Sequence, residues 1–176
     1  TTVQYNIENN LLFKATPVFV TSATLSETAL RFAEYLGVRV IQNKKLEEFE
    51  RKLKTEKVAI IGLGVSNSPL IDYLHDKQAD VTVFDDRETE KLDENIFKKV
   101  KEYGFKYYLG KGNLENLKGF DLIFRSPSCL PTKPELVEES KRGAIVTTEI
   151  EQLMKLAPCK IIGITGSDGK TTTTTL

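Results

Sequence analysis

Apolar and polar residues fall in blocks along this chain, and the period of each block names the element it forms. Pro17-Val18-Phe19-Val20-Thr21 is a short apolar run that reads as a strand. From Leu25 to Leu36, apolar Leu25, Ala29, Leu30, Phe32, Ala33 and Leu36 recur at helical spacing. Thr24 and Glu27 have the spacing of a capping box at its start, and Gly37 stands where the helix should stop. Val38 to Ile41 reads as a second strand, so this opening is one β-α-β unit, too small to bury a core of its own. Asn43 to Lys54 is a charged amphipathic helix with Leu46, Phe49 and Leu53 on one face, suited to docking or to linking. A domain boundary is expected near Gln42–Asn43.

Beyond Lys57 the blocks become regular. Strands are expected at Val58–Ile61, Val81–Phe84, Lys106–Tyr108, Asp121–Phe124 and Ala144–Thr147. Helices are expected at Ser68–Asp76, Asp93–Tyr103, Pro134–Arg142 and Glu149–Leu156, the third opening with Pro as a first turn allows. This alternation predicts an α/β fold of Rossmann-like type, a parallel sheet with helices on both faces. Ala157-Pro158 interrupts the pattern, and Lys160-Ile161-Ile162-Gly163-Ile164 reads as one more strand, feeding a glycine-bearing turn. The expected domains are therefore 1–42, 43–157 and 158–176, the last being the start of a phosphate-loop domain.

Composition narrows the picture without changing it. Of 176 residues, 40% are hydrophobic and 28% charged, which is ordinary for a globular chain. Lys+Arg and Asp+Glu balance at 25 each, so there is no basic field for nucleic acid. No apolar run approaches the ~20 residues of a membrane span, and the start at Thr1 is not a signal peptide. Cys129 and Cys159 lack metal-site spacing and fit a reducing, cytoplasmic compartment.

Two stretches carry phosphate-binding chemistry. Gly166-Ser167-Asp168-Gly169-Lys170-Thr171 meets G-x-x-G-K-T, although Ile164 stands where the longer motif has its first Gly. Backbone N–H groups of such a turn point at phosphate oxygens, a Lys reaches the outer phosphates and the next hydroxyl can ligate Mg²⁺. The other is Gly62-Leu63-Gly64-Val65-Ser66-Asn67, directly after a strand. Its first glycine permits a tight turn and its second lets backbone approach a diphosphate. Asn67 occupies the place of the third glycine of a dinucleotide fingerprint. The next strand ends in Asp85-Asp86-Arg87, where an acid can accept from a ribose and an Arg can meet a base or phosphate. Ser126-Pro127-Ser128 follows a further strand, and ligands of open α/β sheets bind at such carboxyl ends. His75, Tyr107, Tyr108, Glu149 and Glu151 read as surface, packing or helix-start residues.

In this order, G-L-G-x-S, acid-x-Arg, S-P, x-E-I-E and I-T-G-S-D-G-K-T resemble the Mur ligases, over about Asn43 to Leu176, and within them the glutamate-adding type. The resemblance implies a UDP-binding first domain, a central domain for ATP and Mg²⁺, and a third that receives the amino acid. It implies joining of D-glutamate to UDP-N-acetylmuramoyl-L-alanine through an acyl phosphate, by a monomer, in peptidoglycan precursor synthesis. It assigns the UDP site to Gly64, Val65, Ser66, Asn67, Asp85, Asp86, Arg87, Ser126 and Ser128. It assigns the ATP loop to Gly166, Ser167, Asp168, Gly169, Lys170, Thr171 and Thr172, with Lys170 and Thr171 catalytic and Thr171 on Mg²⁺. The family usually has Gly where Asn67 and Ser128 stand, and Asn for Asp168. Residues 1–42 lie outside this pattern. They resemble the closing β-α-β of restriction-endonuclease-like modules, without preceding metal acids, so no nuclease activity is expected. An NAD-binding Rossmann domain and a non-catalytic nucleotide-binding module are the competing readings. The chain as it stands is expected not to ligate.

Overall fold

A computed structural model of the chain describes residues 18–21, 25–64, 67–159, 161, 163–168 and 170–175. These fall into two compact units: Lys44–Lys155, and a second composed of Thr1–Asn43 with Leu156–Leu176.

The larger unit is a five-stranded, wholly parallel sheet. Its strands, numbered after two in the smaller unit, are β3 (Lys57–Ile61), β4 (Asp80–Asp85), β5 (Lys106–Leu109), β6 (Leu122–Arg125) and β7 (Ile145–Thr147), in the order β5-β4-β3-β6-β7. The chain starts in the middle, winds outward to β5, then returns past β3 to β6. That reversal between β3 and β6 is the switch point of a doubly wound sheet. Alternation along each strand divides the core in two. On one face Val58, Ile60, Val81, Val83, Leu122 and Phe124 pack with Ile71, Leu74, Ile96, Phe97 and Val100. On the other Ala59, Ile61, Phe84 and Ile123 pack with Leu114, Leu117 and Leu136. The sheet is thus covered on both sides, as the unbroken apolar runs of its central strands require.

The helices α2 (Lys44–Leu53), α3 (Ser68–Asp76), α4 (Glu94–Glu102), α5 (Pro134–Lys141) and α6 (Glu149–Leu156) lie within one or two residues of their predicted bounds. Asp93 caps α4, accepting from the N–H groups of Asn95 and Ile96. Thr148 and Glu151 form a capping box at α6, each side chain accepting from the other's N–H. The amphipathic helix α2 docks: Leu53 is fully buried in the core with Phe49 packed beside it, and Glu50 accepts from the Tyr73 hydroxyl and pairs with Lys77 at 2.8 Å.

The smaller unit contains β1 (Val18–Thr21) paired in parallel with β2 (Arg39–Gln42), joined through α1 (Glu27–Tyr35). Its helix cap is Ser26, whose hydroxyl accepts from Ala29 N–H; Thr24, expected to cap, lies outside the described residues, as does Pro17. No residue of α1 is buried, and Phe32, Tyr35 and Leu36 are exposed. Of the strand expected at Lys160–Ile164, the described residues Ile161, Gly163 and Ile164 are in no sheet. An apolar run becomes a strand only through hydrogen bonds to a neighbour, and none of the described strands pairs with it. After it, α7 spans Lys170–Thr175.

Leu53→Ala should cost about 3 kcal/mol by loss of buried contacts and a residual cavity. Urea denaturation of the variant measures it, and an unchanged midpoint would mean that α2 contributes nothing to the core.

Candidate functional site at the sheet switch point

The carboxyl ends of β5, β4, β3 and β6 surround one cleft of about 350 Å³. Its floor comes from β3. Backbone hydrogen bonds draw Gly62 N–H to the Phe84 carbonyl and Ser126 N–H to the Ile61 carbonyl, at 2.7 and 2.9 Å. They bring the ends of three strands together at one point. Gly62 turns there with φ +93°, and a Cβ at this position would lie 2.9 Å from both Cβ and Oγ of Ser126. Glycine is therefore required twice over, for the dihedral and for the close approach of β6.

The turn is held from below by two buried polar side chains. Asp85, 3% exposed, accepts Leu63 N–H on Oδ2 at 2.7 Å. The same carboxylate accepts Arg87 N–H and Nε on Oδ1, at 2.9 and 2.8 Å, and Arg87 Nη2 on Oδ2 at 2.8 Å. Burial is the largest single influence on this acid and raises its pKa. The Arg87 side chain, the two N–H groups and the Arg87 charge together outweigh it, so Asp85 titrates below the ordinary value of 3.8. Asn67, 2% exposed, donates from Nδ2 to the Gly62 carbonyl at 2.7 Å, and its N–H reaches the Gly64 carbonyl at 3.1 Å. Its side chain spans the turn where a dinucleotide fingerprint would leave a glycine.

The walls of the cleft include Gly62, Gly64, Asp85, Asp86 and Arg87 on one side and Ser126 and Ser128 on the other. The two serine hydroxyls lie 3.0 Å apart. Seven residues singled out in three separate sequence segments thus meet in one place. Val65 and Ser66 lie outside the described residues, and Asn67 sits beneath the turn. Asn113, Leu114, Cys129 and Lys133 also line the cleft and had no sequence signal beyond following a strand end. Burial raises the Cys129 thiol, and neither cysteine is in a disulfide.

Gly166, Ser167, Asp168, Lys170, Thr171 and Thr172 belong to the smaller unit, and Gly169 is outside the described residues. The Lys170 ammonium donates to the carbonyls of Gly166 and, at 3.2 Å, Ser167, within its own loop. Among the described residues no cluster of His, Cys, Asp and Glu could hold a metal, and no helix is long and apolar enough to cross a membrane.

A parallel sheet wound outward from its middle, with a glycine turn at its switch point, defines a Rossmann-like domain. The family model of the Mur ligase MurD-like N-terminal domain matches residues 56–148, and the chain belongs to that family. A UDP-N-acetylmuramoylalanine--D-glutamate ligase of Ruminiclostridium cellulolyticum is 50% identical over 134 residues, 76% of this chain and 29% of its own length. The like-named protein of Acetivibrio thermocellus is 46% identical over 134 residues, again 76% of this chain and 28% of its own length. The chain thus spans less than a third of these curated relatives. Among solved structures, the A chain of dipicolinate synthase from Bacillus subtilis aligns with a TM-score of 0.43 at 11% identity, over 79% of this chain and 54% of that one.

Asp85→Asn should lower stability by about 2 kcal/mol, less than for a wholly buried pair because Arg87 is 40% exposed. The stabilisation from the lowered pKa is whole above the unfolded value of 3.8 and lost as pH falls through the native one. Unfolding free energy of the parent chain should therefore fall more steeply than that of the variant below about pH 4. Parallel slopes in chemical denaturation at several pH values would remove Asp85 as the clamp. Gly62→Ala should cost about 2 kcal/mol or more through its φ and its contact with Ser126.

Proposed function

We propose that residues 43–157 form the UDP-substrate domain of an ATP-dependent ligase that joins D-glutamate to UDP-N-acetylmuramoyl-L-alanine in peptidoglycan precursor synthesis. One observation carries this reading: the Gly62–Gly64 turn, Asp86 and Arg87, and Ser126 and Ser128 line a single cleft in a chain of the MurD-like family. The named activity of the relatives supports the substrates.

Within the cleft the division of labour follows from chemistry. The Gly64 end of the turn and the following N-terminus of α3 suit a diphosphate, the Gly62 and Leu63 N–H groups being already taken by the Phe84 carbonyl and Asp85. Arg87 and Asp86, at the end of β4, lie where the ribose and base of a nucleotide would come. The serine hydroxyls border the diphosphate from β6. Asn67 favours a UDP-sugar over a dinucleotide, because its side chain fills the place that close helix–strand packing needs a glycine for.

Residues 158–176 are proposed as the start of the ATP-binding domain. The residues present fit phosphates and Mg²⁺ in kind: Lys170 carries the cation, Ser167 and Thr171 the hydroxyls, and the Gly166 and Ser167 carbonyls already hold the Lys170 ammonium at the loop. Bound ATP would supply the phosphoryl group, with Mg²⁺ neutralising its charge. Lys170 and Thr171 are the catalytic candidates of this segment, placing charge and a metal ligand beside the phosphates. The enzyme would be cytoplasmic and monomeric, serving cell-wall growth, cell shape and division. Because phosphoryl transfer needs several groups placed together, the 176-residue chain alone is proposed to bind substrate without ligating it.

Calorimetric titration of this chain should show binding of UDP-N-acetylmuramoyl-L-alanine and of UDP, and none of NAD. Binding of NAD with no response to UDP would replace this reading with a dinucleotide domain. Coupled assay should detect no substrate-dependent ADP, and its appearance would show that the chain carries the catalytic parts by itself.

A further inference from the structure

The charges of the cleft do not all cancel internally. Four charged side chains line it: Asp85, Asp86, Arg87 and Lys133. Asp85 and Arg87 are paired at 2.8 Å, with three further hydrogen bonds fixing the carboxylate. Asp86 and Lys133 remain, and among the described residues neither is in an ion pair.

These two stand on opposite sides of the glycine turn. In the sheet order β5-β4-β3-β6-β7, Asp86 follows β4, the turn follows β3, and Lys133 comes after β6 with Ser126 and Ser128. A ligand crossing the turn with its nucleoside at the β4 end must send its far end toward β6. Ser126 marks how near β6 comes, since its Oγ lies 2.9 Å from the site of a Gly62 Cβ. An anion resting on the turn therefore also meets the β6 side of the cleft.

A diphosphate brings at least two negative charges into this space at neutral pH, and free UDP about three, since a terminal phosphate loses its second proton at about pH 6. Among the described residues of the turn the Gly62 and Leu63 N–H groups are taken by the Phe84 carbonyl and Asp85, and the guanidinium of Arg87 is already committed to Asp85. We propose that Lys133 is the cation that binds the terminal phosphate of the nucleoside diphosphate. The role rests on the UDP reading above and adds to it a residue outside the glycine, acid-Arg and Ser-Pro segments. Lys133 immediately precedes α5, makes no cap hydrogen bond through its side chain, and is exposed, so its four-carbon stem is free to swing its ammonium over the serine wall. It is a binding and specificity residue that separates diphosphates from monophosphates.

The test is calorimetry on the full chain with uridine, UMP and UDP, comparing the parent with Lys133→Ala and Lys133→Arg. UDP affinity should fall about fivefold in the Ala variant, the size of an ion pair open to water. UMP and uridine should change less than about twofold, and the Arg variant should keep most of the UDP affinity. Raising salt should weaken UDP binding more in the parent than in the Ala variant. Thermal midpoints should match, since an exposed Lys contributes nothing to the core. Unchanged UDP affinity in Lys133→Ala, or equal losses for UMP and UDP, would overturn the role of Lys133 while leaving the UDP site standing. Failure of the parent chain to bind UDP would instead remove the nucleotide reading, and this role with it.

Discussion

The Asp85 carboxylate is the constraint on which the candidate site depends. It is buried at the end of β4, yet it reaches across to the N–H of Leu63 in the turn after β3 and grips Arg87 with both oxygens. A buried charge is tolerated only when it is fully hydrogen-bonded, so this carboxylate forces its partners into fixed places. One of them is the backbone of the glycine turn. Another is the Arg87 guanidinium in the wall of the cleft. Asn67 closes the same turn from the helix side through the Gly62 carbonyl. The geometry a ligand would meet is therefore set in advance by two buried side chains, which spares the ordering cost of binding.

The sheet makes that clamp possible. Only where β3 lies between β4 and β6 can one turn receive a carboxylate from one neighbour and a hydroxyl from the other. The apolar cores on both faces hold the three strands in register. Val58 pairs with Val81 on one side and Leu122 on the other, so the strand ends arrive together. Fold and site are thus one construction, in which core packing supplies the precision and the carboxyl ends supply the chemistry.

The smaller unit obeys a different balance. Its β-α-β segment has the periodicity of a folded element, but α1 buries nothing and Val18 and Phe19 stand about half exposed. The apolar run before the Gly166–Lys170 loop forms no strand among its described residues, and Ile161 and Ile164 remain exposed. Its lysine spends its donors on its own loop's carbonyls. Motif and supporting architecture are separable, and among the described residues here the motif stands without a strand leading into it.

Much of this was legible in the residues alone. Periodicity located the α-helices and strands of the larger unit but not its 3-10 turns at Thr89–Lys91 and Asn113–Asn116, because unbroken Val58–Ile61 and stripes such as Phe49–Leu53 can be buried in only one way. Gly62, Gly64, Asp85–Arg87 and Ser126–Ser128 were legible as site candidates because glycine and charge directly after a buried strand serve no core. Lys133, Asn113 and Cys129 were not, since nothing in their local sequence distinguishes a loop residue that faces a cleft from one that faces water. Nor could residue order show that Asp85 is turned inward to the Leu63 N–H while Asp86 is left to solvent, or that the described residues of the run at Lys160–Ile164 join no sheet. Local sequence carries propensity and period, which are short-range. Strand neighbours, buried hydrogen-bond partners and the walls of a cleft are decided by segments tens of residues apart, and only the tertiary structure brings those together.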